Sequence, residues 1–373
     1  MKRPALRAGF TLIELLVAIV IIGILAALLT PAAFRAVTRA KTAAIKVEVD
    51  AIKRGVEEYN QKYGDYPPDF SDWELVTQHY RKIFRNISET ELNLLYQATH
   101  DGSGAFYPEA IDRAEALVFT LGGYSSDQEF PFTGAGGPLE LIPGQDPTLI
   151  ASYQYRTQRS NPLIDAMQDA RRLNLIQPNL SAGLGPANKV ISDDEATLGS
   201  RIGAANDIFP VLTPSGKKAP YVYFDSRTYS YTGASGPVFN LYSPDNRLGA
   251  ARPYKSQIAN STWVNGMFVD TALEYVNPTT FQIISAGLDD NYGGVYPVNF
   301  PGDIVLFTYK SGRGWRPSAV TNNASEGFMA GINGYEEFRL ASMTTTNVSE
   351  GRAQLDNVTD FASSDLQSDL EES

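Results

Sequence analysis

The chain has no cysteine and only two histidines, His79 and His100. Without cysteine it can form neither a disulfide framework nor a thiolate metal site. Two histidines provide little material for a zinc centre or for histidine-based catalysis, so we expect surface or helix-capping roles for both. The sequence also lacks the motifs of serine hydrolases, zinc proteases and phosphate-binding loops. These absences predict that the protein is not an enzyme.

Basic side chains are in the minority. The 373 residues include 31 Lys and Arg against 42 Asp and Glu, which gives a net charge of −11. Binding to DNA or RNA requires a basic face that neutralises phosphates, so we predict no nucleic acid as the main ligand. The length is sufficient for a sizeable core and for two folded parts.

The amino terminus has the one long apolar run of the chain. A short leader with three basic side chains ends at Gly9, and residues 10–29 are mostly Leu, Ile, Val and Ala with a single acid, Glu14. At 1.5 Å per residue this run spans about 30 Å, the thickness of a bilayer core. The basic residues precede it, so the leader should stay cytoplasmic while the rest crosses. Cleavage after the small residue Gly9 would leave the hydrophobic helix on the mature chain.

The sequence Gly-Phe-Thr-Leu-Ile-Glu at residues 9–14 resembles the processing signal of type IV pilins and of type II secretion pseudopilins. The resemblance implies that a prepilin peptidase cuts between Gly9 and Phe10 and methylates the new amine of Phe10. It also implies that Glu14 pairs with that amine on a neighbouring subunit. A carboxylate within hydrocarbon costs several kcal/mol and usually marks function. The alternative is an acid tolerated near the interface of a plain anchor.

A second helical pattern follows the apolar run. Pro31 predicts a kink in a continuing helix, and this residue belongs with Phe10 and Glu14 to the predicted assembly segment. One apolar stripe recurs at helical spacing on an otherwise charged surface: Ile45, Val49, Ile52, Val56 and Tyr59. Gly64 and the prolines after it should end the helix near Tyr63. The stripe predicts that this half of the helix packs on a globular head.

The head shows helical signals first and strand signals later. Capping boxes at residues 71–74 and 88–91 predict two helices, and 108–121 and 161–173 are two further helix candidates. Residues 221–224, 281–284 and 303–307 are rich in β-branched and aromatic side chains and predict antiparallel strands. The fold class is therefore α+β: a long amino-terminal helix packed on a head with a helical insertion and a small antiparallel sheet, as in pilins.

These patterns divide the chain into six segments. We predict a leader at 1–9, a transmembrane helix at 10–30, the amphipathic half of the long helix at 31–63, a mainly helical insertion at 64–204, a β-rich pseudopilin-like head at 205–317 and a polar, acidic, partly disordered tail at 318–373.

Two head segments extend the resemblance. Residues 216–223 and 281–290 resemble two strand regions of the G-type major pseudopilin, in which the loop after the second strand binds calcium. By that resemblance Asp289, Asp290, Asn291 and Asp303 would coordinate Ca²⁺, which prefers six to eight oxygen ligands. The alternative is a turn in which Asp and Asn satisfy the local backbone.

The resulting prediction is a filament-forming, pilin-like subunit of a type II secretion pseudopilus. Its partners would be copies of itself, other pilin-like subunits, the prepilin peptidase and an inner-membrane assembly platform. It would be a single-pass inner-membrane protein with its head in the periplasm, or outside the cell after assembly. Three alternatives stay open: a surface pilus subunit for adhesion, motility or DNA uptake, a membrane-anchored head that binds glycan or protein, and an anchored hydrolase.

Overall fold

The computed structural model describes most of the first half of the chain and parts of the second. The described residues are 12–108, 110–169, 171–173, 175–176, 191–192, 207–233, 236–239, 242, 248–249, 251–259, 273–292, 306–308, 313–317, 335–339 and 357–366. The chain divides into two units, Met1–Ala44 and Ile45–Ser373. The architecture is α+β, as predicted: a long amino-terminal helix followed by a head of short helices and small sheets.

Helix α1 comprises Leu12–Tyr63. It continues through Pro31, as the sequence predicted. The predicted stripe from Ile45 to Tyr59 is buried at each of its five positions within the second unit. Full burial of such a side chain contributes about 1.5–3 kcal/mol, so the stripe is a major source of the head's stability. Gly64 ends the helix with φ of 71°, and its N–H bonds the carbonyl of Asn60 at 2.8 Å.

Helices α2 (Trp73–Ile83) and α3 (Glu89–Thr99) follow. The cap of α2 is Asp72, which accepts from the N–H of Leu75 at 3.1 Å, so the prediction that Ser71 would cap it is wrong by one residue. Ser88 caps α3 as predicted. Its expected partner Glu91 instead turns inward, since buried N–H groups of the loop at 132–133 offer its carboxylate two bonds.

Helix α4 is short, Glu115–Leu121. It begins seven residues after the predicted start because Asp112 and Glu115 form the capping box. Asp112 accepts from the N–H of Glu115 at 3.0 Å, and Glu115 accepts from the N–H of Asp112 at 2.7 Å. The helix predicted at 161–173 is also wrong: the structure has a single 3₁₀ turn there, Asp165–Gln168.

Fourteen short strands are described. They are β1 (Leu139–Leu141), β2 (Tyr153–Tyr155), β3 (Leu175–Ile176), β4 (Ile191–Ser192), β5 (Val222–Asp225), β6 (Ser230–Gly233), β7 (Gly236–Phe239), β8 (Lys255–Ala259), β9 (Leu273–Tyr275), β10 (Phe281–Ser285), β11 (Leu306–Thr308), β12 (Arg313–Pro317), β13 (Tyr335–Arg339) and β14 (Val358–Thr359). One sheet has the order β14-β10-β5 and another β13-β12-β11-β8-β9, while β1-β2, β3-β4 and β6-β7 are two-stranded.

The β14-β10-β5 sheet lies at the centre of the head. Strands β5 and β10 pair antiparallel, with Phe281 opposite Asp225 and Ile284 opposite Val222. On one face Tyr223 joins the cluster that contains the α1 stripe, and on the other Val222 and Phe224 join a second buried cluster. Because both faces are covered, the first three residues of β5 form a continuous apolar run rather than an alternating pattern.

The end of the chain reaches this sheet. Strand β14 pairs with β10, and residues 357–360 are buried. Two lysines of α1 donate to the backbone of the segment 357–360: Lys46 to the carbonyl of Thr359 at 3.0 Å, and Lys53 to that of Asp360 at 3.1 Å. Part of the segment predicted as a polar, partly disordered tail therefore belongs to the core of the head.

Candidate assembly segment and the loop after β10

The first part of α1 presents an apolar surface. Many large hydrophobic side chains between Leu12 and Phe34 are exposed, and the exposed fraction of each of these is at least 47%. Among the described residues, α1 is the one helix long and apolar enough to cross a membrane, and no residue of its most apolar window is buried. An apolar surface of this extent is normally covered by lipid or by another protein.

Glu14 lies in the first turn of α1. The next charged residue is Arg35, so the twenty residues 15–34 carry no ionisable side chain. That span is about 30 Å long as a helix and matches a bilayer core. A carboxylate near a helix amino terminus is favoured by the helix dipole. Gly9 and Phe10, the predicted processing residues, lie outside the described residues.

Two threonine hydroxyls on either side of Pro31 are satisfied within the helix. Thr30 donates its hydroxyl to the carbonyl of Ala26 at 2.7 Å, and Thr38 donates to that of Phe34 at 3.1 Å. Bonds of this kind let threonine enter an apolar environment, where an unsatisfied hydroxyl would be costly. The α1 segment is thus chemically compatible with a membrane from Leu15 through Phe34.

Comparison with known families points to this same segment. A sequence profile of the prokaryotic N-terminal methylation motif matches residues 5–30. The chain carries a prepilin-type amino terminus. No curated protein and no solved structure matches the chain. The motif indicates a type IV pilin-like subunit that is processed by prepilin peptidase and assembled into filaments, which suggests a structural role rather than an enzymatic one. Together with α1 it is consistent with a membrane-anchored subunit.

The predicted calcium loop follows β10. Asp289 accepts from the N–H of Asn291 at 2.8 Å, and Asp290 accepts from the N–H groups of Lys218 at 2.9 Å and Ala219 at 3.2 Å. Burial raises the pKa of Asp289, and the charge of Asp290 raises it further. The described residues contain no group of three or more His, Cys, Asp or Glu arranged to hold a metal ion. Asp303, the fourth predicted ligand, lies outside them.

Both histidines are buried, so the prediction of a surface role is wrong for His79. Its Nδ1 lies 2.9 Å from Asp65 Oδ2, and its Nε2 lies 2.7 Å from the hydroxyl of Tyr59. Burial lowers its pKa although the bond to Asp65 opposes this effect. The neutral ring therefore accepts from Tyr59 and donates to Asp65, and it joins the end of α1 to α2. His100 is the C-cap residue of α3, a capping role as predicted.

Sequence reasoning did not find the buried ionic groups of the head. Asp69 accepts from Arg113 Nε at 3.1 Å and from the hydroxyl of Thr228, and Asp225 accepts from Arg227 Nε at 2.7 Å. Burial raises the pKa of Asp225 above its usual range, and the nearby charge of Asp69 raises it further. Asp69 lies 44 residues before Arg113 and 156 residues before Asp225, so local spacing does not predict their contact. Arg227, by contrast, is only two residues from Asp225. These residues hold the turn after α1 against β5, which is a structural task.

Proposed function

We propose that this chain is a filament-forming subunit of a bacterial type II secretion pseudopilus. The observation that carries the proposal is the prepilin-type motif at residues 5–30, which overlaps the amino-terminal part of the 52-residue helix α1. The reading as a secretion component is supported by the two segments that resemble the G-type pseudopilin. The first segment reaches into β5 and the second contains β10, and these two strands are antiparallel neighbours in the central sheet of the head.

In this role, each part of α1 has its own task. Prepilin peptidase cuts after Gly9, and the apolar helix holds the subunit in the inner membrane until assembly. The exposed apolar surfaces of many copies then pack together, and Glu14 neutralises the methylated amine of Phe10 on a neighbour. The buried stripe holds the head on the second half of α1, and the head lies in the periplasm. Other pilin-like subunits and the assembly platform complete the machinery.

The deciding experiment is quantitative mass spectrometry of the mature chain in sheared surface filaments and in inner membrane. Peptides that begin at methylated Phe10 are followed in both fractions. Retention in the membrane supports the pseudopilus. Abundance in the sheared fraction would instead assign the chain to a surface pilus, and an unprocessed amino terminus would overturn the pilin-like assignment.

Glu14 is tested by the same mass spectrometry, applied to whichever fraction holds the assembled filaments. In Glu14→Ala we expect normal cleavage and membrane insertion, but incorporation into filaments at least about tenfold lower, because an amine without a partner in the apolar core costs more than 1.4 kcal/mol. The control is Glu57→Ala, an exposed acid farther along α1. Equal incorporation of the two variants would remove Glu14 from the assembly step.

A further inference from the structure

Lys217 stands at the end of a tight turn. Its N–H bonds the carbonyl of Pro214 at 3.0 Å, and Gly216, the third residue of this turn, has φ of 74°. That left-handed conformation suits glycine and places Lys217 five residues before the start of β5. The turn therefore fixes the point from which the lysine side chain departs.

The loop after β10 is fastened to this same segment. Asp290 adopts φ of 60°, which brings its carboxylate to the N–H groups of Lys218 and Ala219. Two residues on, the hydroxyl of Tyr292 donates to the carbonyl of Pro220. The segments 217–220 and 288–292 are thus joined by several hydrogen bonds, though they lie about seventy residues apart in the chain.

The lysine ammonium sits between the oxygens of that loop. Lys217 Nζ donates to the carbonyl of Leu288 and lies 4.0 Å from Asp290 Oδ2. Its side chain is only 20% exposed. Calcium would need such oxygens at about 2.3–2.6 Å, and a nearby ammonium repels a second cation. The described part of the loop therefore fits a calcium ion poorly.

We infer that Lys217 is the cation of this loop and takes the place that the G-type resemblance gives to calcium. Its ammonium offsets the adjacent charges of Asp289 and Asp290 and cross-links the turn at 214–217 to the loop at 288–290. The head then keeps this loop in position, and the segments 217–220 and 288–292 joined, at any calcium concentration.

The first test measures thermal unfolding of the full chain in detergent, in EGTA, in millimolar magnesium and in millimolar calcium. We expect the three Tm values to agree within about 1 °C, because the cation position is filled by the protein itself. A Tm that rises by several degrees in calcium and not in magnesium would overturn the inference and establish a calcium site.

The second test separates the ammonium from its aliphatic stem. Lys217→Met keeps the stem and loses the charge, and we expect it to lower Tm by several degrees more than Lys218→Met, the exposed neighbour that serves as control. Lys217→Arg, which keeps the charge, should recover most of the loss. If Lys217→Met and Lys218→Met unfold at the same temperature, the ammonium does not fasten the loop.

Discussion

Asp360 provides a sharp test of how the end of the chain is held. Its carboxylate accepts from the N–H of Ile283 at 2.9 Å and from the amide of Asn277 at 3.1 Å, while Lys53 Nζ lies 3.9 Å away. Burial raises the pKa from 3.8 to about 6 although the N–H of Ile283 and the charge of Lys53 lower it. The folded state therefore binds a proton more readily than the unfolded chain does between these two pH values.

The sign and size of the effect follow from linkage. Where the folded state binds more protons, the free energy of unfolding falls as pH rises. A difference of about two pKa units corresponds to about 3 kcal/mol. The head should thus be stabilised by Asp360 protonation below about pH 4, and that contribution should be gone above about pH 6.

The perturbation is Asp360→Asn, which keeps the size of the side chain and one of its two acceptor oxygens but does not titrate. The lost acceptor lowers stability equally at every pH and does not affect the pH dependence. Urea unfolding of the full chain in detergent, measured from about pH 4 to pH 7.5, gives the free energy of unfolding at each pH. The free energy of unfolding of the variant minus that of wild type should rise by about 3 kcal/mol as the pH increases across this range. Other titrating groups, including His79, are present in both proteins and cancel in the difference.

Asp50→Asn is the control, since Asp50 is a partly exposed acid on α1 paired with Lys46. It should change the free energy of unfolding by less than about 1 kcal/mol at all pH values. If the curves of wild type and Asp360→Asn run parallel, Asp360 does not titrate in this window, and the argument from its burial is refuted.

Two further predictions concern packing and buried charge. Ile52→Ala should lower the free energy of unfolding by about 2–5 kcal/mol because Ile52 is 2% exposed. The control Val47→Ala lies on the same helix at 64% exposed and should change it by less than about 0.5 kcal/mol. Equal losses in urea unfolding would contradict the observed orientation of the stripe. Arg159 is buried and donates to the carbonyls of Val118, Phe119 and Gly123 around the end of α4. Arg159→Met should therefore lower the free energy of unfolding by about 3 kcal/mol or more, and the Tm with it. An unchanged Tm would show that the guanidinium does not cap α4.

Local patterns predicted several parts of the head well. The stripe from Ile45 to Tyr59 follows from helical periodicity, because a helix in contact with a core must repeat its apolar residues every three or four positions. The strands β5 and β10 were predicted from β-branched and aromatic runs bounded by turn residues. In each case the signal lies within a few consecutive residues, so no knowledge of the rest of the fold was needed.

The errors arose where a side chain had a competing partner. Glu91 fits a capping box by spacing, but the loop at 132–133 offers its carboxylate buried N–H groups. Helix α4 was predicted to begin at Pro108, yet Asp112 and Glu115 cap it later. His79 was expected at the surface or at a helix cap. Its burial depends on Tyr59 and Asp65, which lie 20 and 14 residues earlier in the chain.

The amino-terminal character of this protein follows from local sequence alone. A basic leader, the Gly9–Phe10 junction, Glu14 and an uncharged apolar run are contiguous, and membrane insertion depends on just such local hydrophobicity and charge. Three other features became known from the folded chain: β14 completes the central sheet, Asp360 is buried beside Lys53, and Lys217 faces the loop after β10. Each of those contacts joins segments seventy to three hundred residues apart, and their energies exist only once the chain has folded and removed water from between them.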